Sequence, residues 1–411
     1  MKLSKSVQGL SFKQRLMLFG PAFIISIGYI DPGNYATNIQ AGSLYGYNLL
    51  WVALAANIIA MFIQYLSAKL GIVTKINLVE HLRDDLGKKR YIYPYWIQAE
   101  LVIIATDIAE FIGAAVGFKI LLHIPLMLGM VITGILTVGM LCLDQYSKRT
   151  QKPMEIFTGF ALFIIVICYI VELILTKYPH KEALLSGLLI PRFRNFNQIY
   201  FAAGILGATV MPHVIYLHSG LFKRYKNIDI KTHLRITKQD ILVALSIAGF
   251  ANIAMIIMAA TVFHYSGYSS IADITTAYHT LIPILGGFAA LIFAISLIAS
   301  GISSSVVATL SGDLVMQGFT KKKFPVINRR LITMIPSFII VGCHFSPTFI
   351  LVLSQVILSF GIVFALVPLL KYTNNVNLMG SFVNPFYIKV IGWIIVAAVA
   401  ILNVYIVITT I

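Results

Sequence analysis

Eleven apolar runs divide the chain, at about residues 16–43, 48–70, 93–119, 122–143, 155–176, 198–222, 240–265, 285–316, 330–346, 348–370 and 387–411. Each is long enough, as a helix, to cross a hydrocarbon core of about 30 Å. The polar connections between them are short. The longest, near 71–92 and 223–239, have room for an ordinary loop or one short helix. The pattern predicts an all-α integral membrane protein with eleven transmembrane helices and a single membrane domain over 1–411.

Composition agrees with a chain solvated by lipid: 59% of residues are hydrophobic, 11% are charged, and mean hydropathy is +0.88. The net charge of +16 is better read as membrane topology than as a nucleic-acid surface. With the N-terminus inside, 26 of the 31 Lys and Arg residues fall on the inner side, and only Lys119, Lys177, Lys181, Arg192 and Arg194 fall outside. A cytoplasmic N-terminus and an outer C-terminus are therefore expected. The stretch Leu16 to Ile30 ends in Asp-Pro-Gly-Asn rather than a small-residue cleavage site, so the first segment is expected to be retained. Cys142, Cys168 and Cys343 are widely separated in or beside apolar runs and read as packing residues, not as a disulfide or zinc framework.

The first run reads LMLFGPAFIISIGYI, then DPGN, then YATNIQAGSLYGY. Pro32 lacks an amide proton and Gly33 is conformationally loose, so a helix that reaches Asp31 unwinds there. Either the helix breaks inside the membrane, or it ends and an outer loop follows. A membrane carboxylate such as Asp31 is costly and favours the first reading. The sixth run, IYFAAGILGATVMPHVIYLHSGLF, is interrupted by Gly204, Gly207 and Pro212, although both residue types also occur in ordinary membrane helices. Interruptions that open two five-helix halves, about 16–176 and 198–370 with an extra helix at 387–411, fit an inverted repeat. Paired broken helices near the midplane mark a substrate site.

The breaks offer oxygens from Asp31 and Asn34, a thioether from Met211, and carbonyls of residues such as Gly28 and Ala208 that lose their helical partners. That set suits a cation. Ca²⁺ and Mg²⁺ gain nothing from sulfur, whereas Mn²⁺, Fe²⁺, Co²⁺ and Cd²⁺ tolerate or prefer it. Met is also an ordinary filler of membrane cores, and only its place beside Pro212 promotes Met211.

The strings DPGNYATNIQAG, TDIAEFIGAAVG and GATVMPHVIYLHSG resemble the Nramp family of proton-coupled divalent metal transporters, over nearly the whole chain and in segment count and order. The resemblance implies a LeuT-like fold of 5+5 inverted repeats, with helices 1 and 6 unwound around the metal. It implies Asp31, Asn34 and Met211 as side-chain ligands, carbonyls from Gly28 and Ala208, and an additional polar ligand from Gln355 in SQVILSF. It also implies uptake of Mn²⁺ or Fe²⁺ into the cytoplasm. Two positions depart from the common pattern: Gly28, where many relatives carry Ala, and Val214, where many carry Asn. The retained Met211 argues against the subset of relatives thought to carry Mg²⁺ or Al³⁺.

Three acids, Glu100, Asp107 and Glu110, lie near one face of the third helix, the arrangement expected of a proton relay or a gated polar seam; the alternative is that each is neutralised by a basic partner for structure, which for Glu100 explains it equally well. Arg329 and Arg330 open the ninth segment, and by resemblance this pair and the third-helix acids connect the metal site to the cytoplasm. His213, beside Pro212, titrates near physiological pH when unperturbed and is a proton carrier or a hydrogen-bonded structural residue. Asp31 joins the two ions at one group, because a carboxylate binds metal only when deprotonated.

No resident cofactor, no enzyme activity and no nucleic-acid partner are expected; the expected partners are the metal ion, protons and lipid, for a monomer in a bacterial cytoplasmic membrane. An intramembrane protease would need a motif that is missing: there is no HExxH, GIS at 301–303 lacks the second glycine of a nucleophile elbow, and Asp313 has no matching membrane Asp motif. A sodium-coupled amino-acid symporter of the same architecture would set Asp31 against the substrate carboxylate and leave Met211 without a role. A passive metal channel suits two broken helices less well than alternating access does.

Overall fold

A computed structural model of the protein describes residues 20–146, 152–176, 181–224, 229–267 and 273–410. The start of the first run at 16–19, the basic residues Lys2, Lys5, Lys13, Arg15, Lys148, Arg149 and Lys226, and Lys177, expected on the outer side, lie outside the described residues. Among the described residues the chain is helical and contains no strand.

Each of the eleven expected segments has a helical counterpart. The first is split into α1, Pro21–Ser26 extended by a 3₁₀ turn Ile27–Ile30, and α2, Pro32–Tyr45. Then come α3 (Leu50–Thr74), α4 (Leu78–Leu86), α5 (Lys89–Leu122), α6 (Leu126–Tyr146), α7 (Lys152–Leu175) and α8 (Lys181–Leu189). The sixth segment is split into α9, Phe196–Thr209, and α10, Pro212–Gly220. The remainder are α11 (Ile230–Ala259, closed by a π turn Ala260–His264), α12 (Ile274–Leu285), α13 (Gly287–Thr320), α14 (Val326–Gly342), α15 (Pro347–Thr373) and α16 (Phe386–Thr410). Among the described residues, nine helical stretches are long and apolar enough to cross a membrane.

The short helices α4, α8 and α12 occupy connections. α4 is set by a capping box in which Asn77 accepts from the Glu80 amide and Glu80 accepts in return from the Asn77 amide. α12, capped by Asp273, was not foreseen, because twelve residues are too few to span the bilayer. α11 starts ten residues before the expected position 240, with Asp229 capping the Thr232 amide. Its first turns are polar but remain helical, since a helix continues past the hydrocarbon into the headgroup region without losing its backbone bonds.

The 34-residue helices α5 and α13 form the most extensive pairing and run through the centre of the bundle. α6, α7 and α16 lie at the periphery and turn exposed apolar side chains such as Ile135, Ile174 and Ile401 outward. Acyl chains are the natural solvent for that belt. Loops expected on one side of the membrane also meet at one end of the molecule. There the Arg83 guanidinium donates to the Gly318 carbonyl at 2.6 Å and Lys371 pairs with Asp85 at 2.6 Å. At the other end the Thr348 hydroxyl donates to Asp273 at 2.6 Å, and His264 Nδ1 lies 2.9 Å from the Ser43 carbonyl.

Candidate metal centre

Both breaks follow one rule. A carbonyl in an α-helix accepts from the amide four residues on. For Gly28 that residue is Pro32, and for Ala208 it is Pro212; neither has a proton to give. The residue before each proline is forced into an extended conformation, Asp31 with ψ 167° and Met211 with ψ 118°. Each then serves as the N-cap of the next half-helix. The prolines thus interrupt the ladder and leave Asp31 and Met211 at the two breaks.

Side chains from other helices take up part of the freed backbone. Asn252 of α11 donates to the Tyr29 carbonyl at 2.7 Å, and the Ser300 hydroxyl of α13 donates to the Ile30 carbonyl. Asp240 of α11 accepts from the amides of Gly20 and Ala22, the latter at 2.9 Å, and so fixes the start of α1. None of these three residues was singled out from sequence. Their partners are distant in the chain, and no local pattern marks them.

All six expected positions come together. Asp31 Oδ1 accepts from the Asn34 amide at 2.8 Å and from Asn34 Nδ2 at 2.7 Å, while Asn34 Nδ2 also donates to the Ala208 carbonyl at 3.0 Å. The Met211 sulfur lies 3.5 Å from where a Cβ on Gly28 would stand, which sets the thioether of one break against the backbone of the other. The Gln355 side chain of α15 covers Gly33 so closely that a Cβ there would overlap it. Asp31, Asn34, Met211, Ala208 and Gln355 are all completely buried. Three oxygens in this pocket have no hydrogen-bond partner: Asp31 Oδ2, Asn34 Oδ1 and Gln355 Oε1. Unsatisfied buried oxygens are costly, and a cation beside Asp31 would satisfy Oδ2 directly; Asn34 meets Asp31 and the Ala208 carbonyl through Nδ2, so its oxygen would reach such a cation once that amide turns over. The carbonyl ends of α1 and α9 add partial negative charge, and the α2 N-terminus binds the other oxygen of Asp31. Among the described residues no group of three His, Cys, Asp or Glu side chains is placed to hold a metal. This pocket contains one carboxylate.

The acids of α5 meet α14. Glu100 pairs with Arg329 through Nη2–Oε2 at 2.5 Å and Nη1–Oε1 at 3.2 Å, and the Trp96 indole donates to it at 2.9 Å. Asp107 pairs with the fully buried Arg330 at 3.1 Å, and Arg330 also donates to Ser305 at 2.7 Å. Glu110 is buried, with both oxygens outside hydrogen-bonding geometry and Asp107, Asp31 and Arg330 as its charged surroundings. Gly113 brings the row up to the first break, because a side chain there would overlap the Pro32 ring. His213 Nδ1 lies 3.3 Å from Thr106, next to Asp107, and its Nε2 has no partner. His218 instead joins Gln64 at 2.9 Å, and Gln64 donates to the Tyr29 hydroxyl at 2.7 Å.

The profile of the Nramp family, "Natural resistance-associated macrophage protein-like", matches residues 22–409. The chain belongs to the Nramp family. A relative from Vibrio campbellii, named divalent metal cation transporter MntH, is 55% identical over 397 residues, covering 97% of this chain and 93% of its own. The protein of that name from Yersinia enterocolitica is 52% identical, covering 97% and 96%. A manganese transporter of Eremococcus coleocola superposes with a TM-score of 0.86 at 30% identity, covering 97% of this chain and 88% of its own. Mhp1, a nucleobase-cation-symport-1 family transporter, matches at 0.56 and 16% identity over 86% of this chain and 77% of its own, a likeness of fold alone. The LeuT-like arrangement of this Nramp protein, with helices 1 and 6 broken, is therefore the expected one. It is a multi-pass membrane transport protein and not an enzyme. Gly28 and Val214 adjoin across the two breaks, so that a Cβ on Gly28 would lie 3.4 Å from Val214 Cγ2.

Proposed function

We propose that this Nramp protein imports divalent transition metals, Mn²⁺ or Fe²⁺ with Co²⁺ and Cd²⁺ as further substrates, and couples the movement to protons while excluding Ca²⁺ and Mg²⁺. The observation that carries this reading is a fully buried group at paired helix breaks, in which Asp31 Oδ2, Asn34 Oδ1 and Gln355 Oε1 lack partners and the Met211 sulfur lies against Gly28 of the other break. The names of the Vibrio and Yersinia relatives and of the Eremococcus structure support the substrate class. The ion sheds its water for a mixed set of oxygens and one sulfur. A hard alkaline-earth ion loses more than it gains in that exchange, and a borderline ion does not.

Asp31 binds the metal as the carboxylate and so gives up its proton on loading. Asp107, Glu110 and Arg330, adjoining Pro32 through Gly113, provide a route for that proton separate from the metal's own, and His213 beside Thr106 is its second branch. Glu100 and Arg329 close this path at the inner end. The halves 16–176 and 198–370 act as the repeats that rock around the site, in a monomer whose apolar belt faces lipid in the bacterial cytoplasmic membrane.

The decisive measurement is Mn²⁺ uptake into liposomes containing the protein, with internal pH recorded. Metal accumulation together with acidification is expected; accumulation without acidification would reduce the protein to a facilitator. In calorimetry Asp31→Ala is expected to abolish Mn²⁺ binding, and an unchanged affinity would remove Asp31 from the site.

A further inference from the structure

A further buried carboxyl lies outside everything described so far. Glu172 is on the last full turn of α7, at the end that leads into α8, and is completely buried with neither oxygen hydrogen-bonded. Among the described residues no cation faces it. α13 carries no charged side chain before Asp313, α11 carries no titratable side chain between Asp240 and His264, and α1 with its 3₁₀ turn contributes Tyr29, which is engaged by Gln64. His264, at the far end of α11, is held by the Ser43 carbonyl. On α6 the titratable residues are Cys142, Asp144 and Tyr146, at its opposite end.

What does face Glu172 is a group of neutral hydroxyls and a thiol. Tyr169 and Cys168 come from its own helix, and Tyr35 comes from α2. The Tyr35 and Tyr169 rings stand 5.7 Å apart, both fully buried, and Ser296 of α13 is the other polar neighbour of the Tyr35 hydroxyl. Phe293 closes the group at 5.9 Å from the Tyr35 ring. A carboxylate without a counter-ion is strongly disfavoured in such a place, so the neutral acid is the form it accommodates at rest. Ionisation is tolerable only if the surrounding hydroxyls turn to donate to it. One of them, Tyr35, is on the half-helix that begins with Asp31 and carries Asn34.

We propose that Glu172 is a proton-binding site in the outer half of the bundle, through which external pH acts on α2 by way of Tyr169 and Tyr35, separately from the Asp107–Arg330 path. Loading is a single proton transfer from outside water to one Glu172 oxygen, and release returns that proton with no other bond made or broken. The idea rests on proton-coupled metal transport, and its test separates the two.

Glu172→Gln holds the neutral shape permanently. In liposomes at fixed internal pH, its Mn²⁺ uptake at acidic external pH is expected to match wild type, while its fall as external pH is raised becomes shallower, leaving only the dependence that proton coupling at Asp31 imposes. Tyr169→Phe is expected to shift the midpoint of that dependence without lowering its maximum. A Glu172→Gln profile superimposed on wild type would overturn the proposal. If wild type itself is insensitive to external pH, proton coupling fails instead, and infrared spectra of the purified proteins decide the proton site. A protonated-carboxyl stretch that titrates in wild type and is missing in Glu172→Gln upholds it, and identical spectra refute it.

Discussion

At the scale of single residues, the site combines positions that differ in how visible they are. Asp31 and Met211 are legible because each precedes a proline that stands close to glycines in an apolar run, whereas Pro94, Pro283, Pro336 and Pro368 lie inside continuous helices. Gln355 has no such neighbour and is named only by the family resemblance, and Asn252, Ser300 and Glu172 take a role only from their tertiary surroundings. In the proposed function the sulfur of Met211 is the selectivity element, so Met211→Ala is expected to weaken Mn²⁺ binding about tenfold, near 1.4 kcal/mol, to weaken Cd²⁺ binding more, and to admit Ca²⁺ or Mg²⁺. Uptake of both alkaline-earth ions into liposomes is the measurement, and continued exclusion would take selectivity away from the thioether. Gly28 makes the opposite case. A methyl there meets Met211 Sδ at 3.5 Å and Val214 Cγ2 at 3.4 Å, ordinary contact distances, so Gly28→Ala is expected to keep Mn²⁺ affinity within about twofold by calorimetry. A large loss would mean that the site needs the space above residue 28.

At the scale of elements, hydropathy located all eleven segments but set their ends by apolar content, which is why α5, α11 and α13 run beyond the expected limits. It also could not announce α8 and α12, whose 9 and 12 residues are helical without being long enough to cross. The two breaks were readable because the missing amide proton coincides there with nearby glycines and, at the first, with a carboxylate; Pro94, Pro283, Pro336 and Pro368 lack the same proton inside continuous helices. They share one spacing, Gly28 to Pro32 and Ala208 to Pro212. Restoring the donor in one of them is therefore a clean perturbation. Pro212→Ala returns an amide that bonds the Ala208 carbonyl and tightens α9 into α10. A helical hydrogen bond is worth about 1 kcal/mol net. If metal binding must reopen it, affinity for Mn²⁺ is expected to fall about fivefold, with protein stability unchanged or raised. Calorimetry and thermal unfolding of the same sample check both halves, and a tighter-binding, less stable variant would contradict the role given to the break.

At the scale of the whole molecule, the distribution of Lys and Arg predicts orientation, and the fold gathers the corresponding loops at common ends. Arg83, Asp85, Gly318 and Lys371 meet at one end, and Ser43, His264, Asp273 and Thr348 at the other. The bundle itself contains no reference to inside or outside; only the charge bias assigns the first end to the cytoplasm. Two native thiols turn that assignment into a measurement. Cys343 is exposed just past the end of α14, on the side expected to face out, whereas Cys142 is half-buried near the end of α6 expected to face in, and Cys168 is buried. A membrane-impermeant maleimide added to intact cells is expected to modify Cys343 and to spare Cys142, and Cys343→Ser is expected to abolish the labelling. Because α14 enters with Arg329 and Arg330 and leaves at Cys343, labelling from outside also places the Glu100–Arg329 pair at the cytoplasmic end. That is the orientation a proton exit from Asp31 past Asp107 requires. Labelling of Cys343 only after the cells are permeabilised would invert the bundle, and with it the direction in which metal and proton travel.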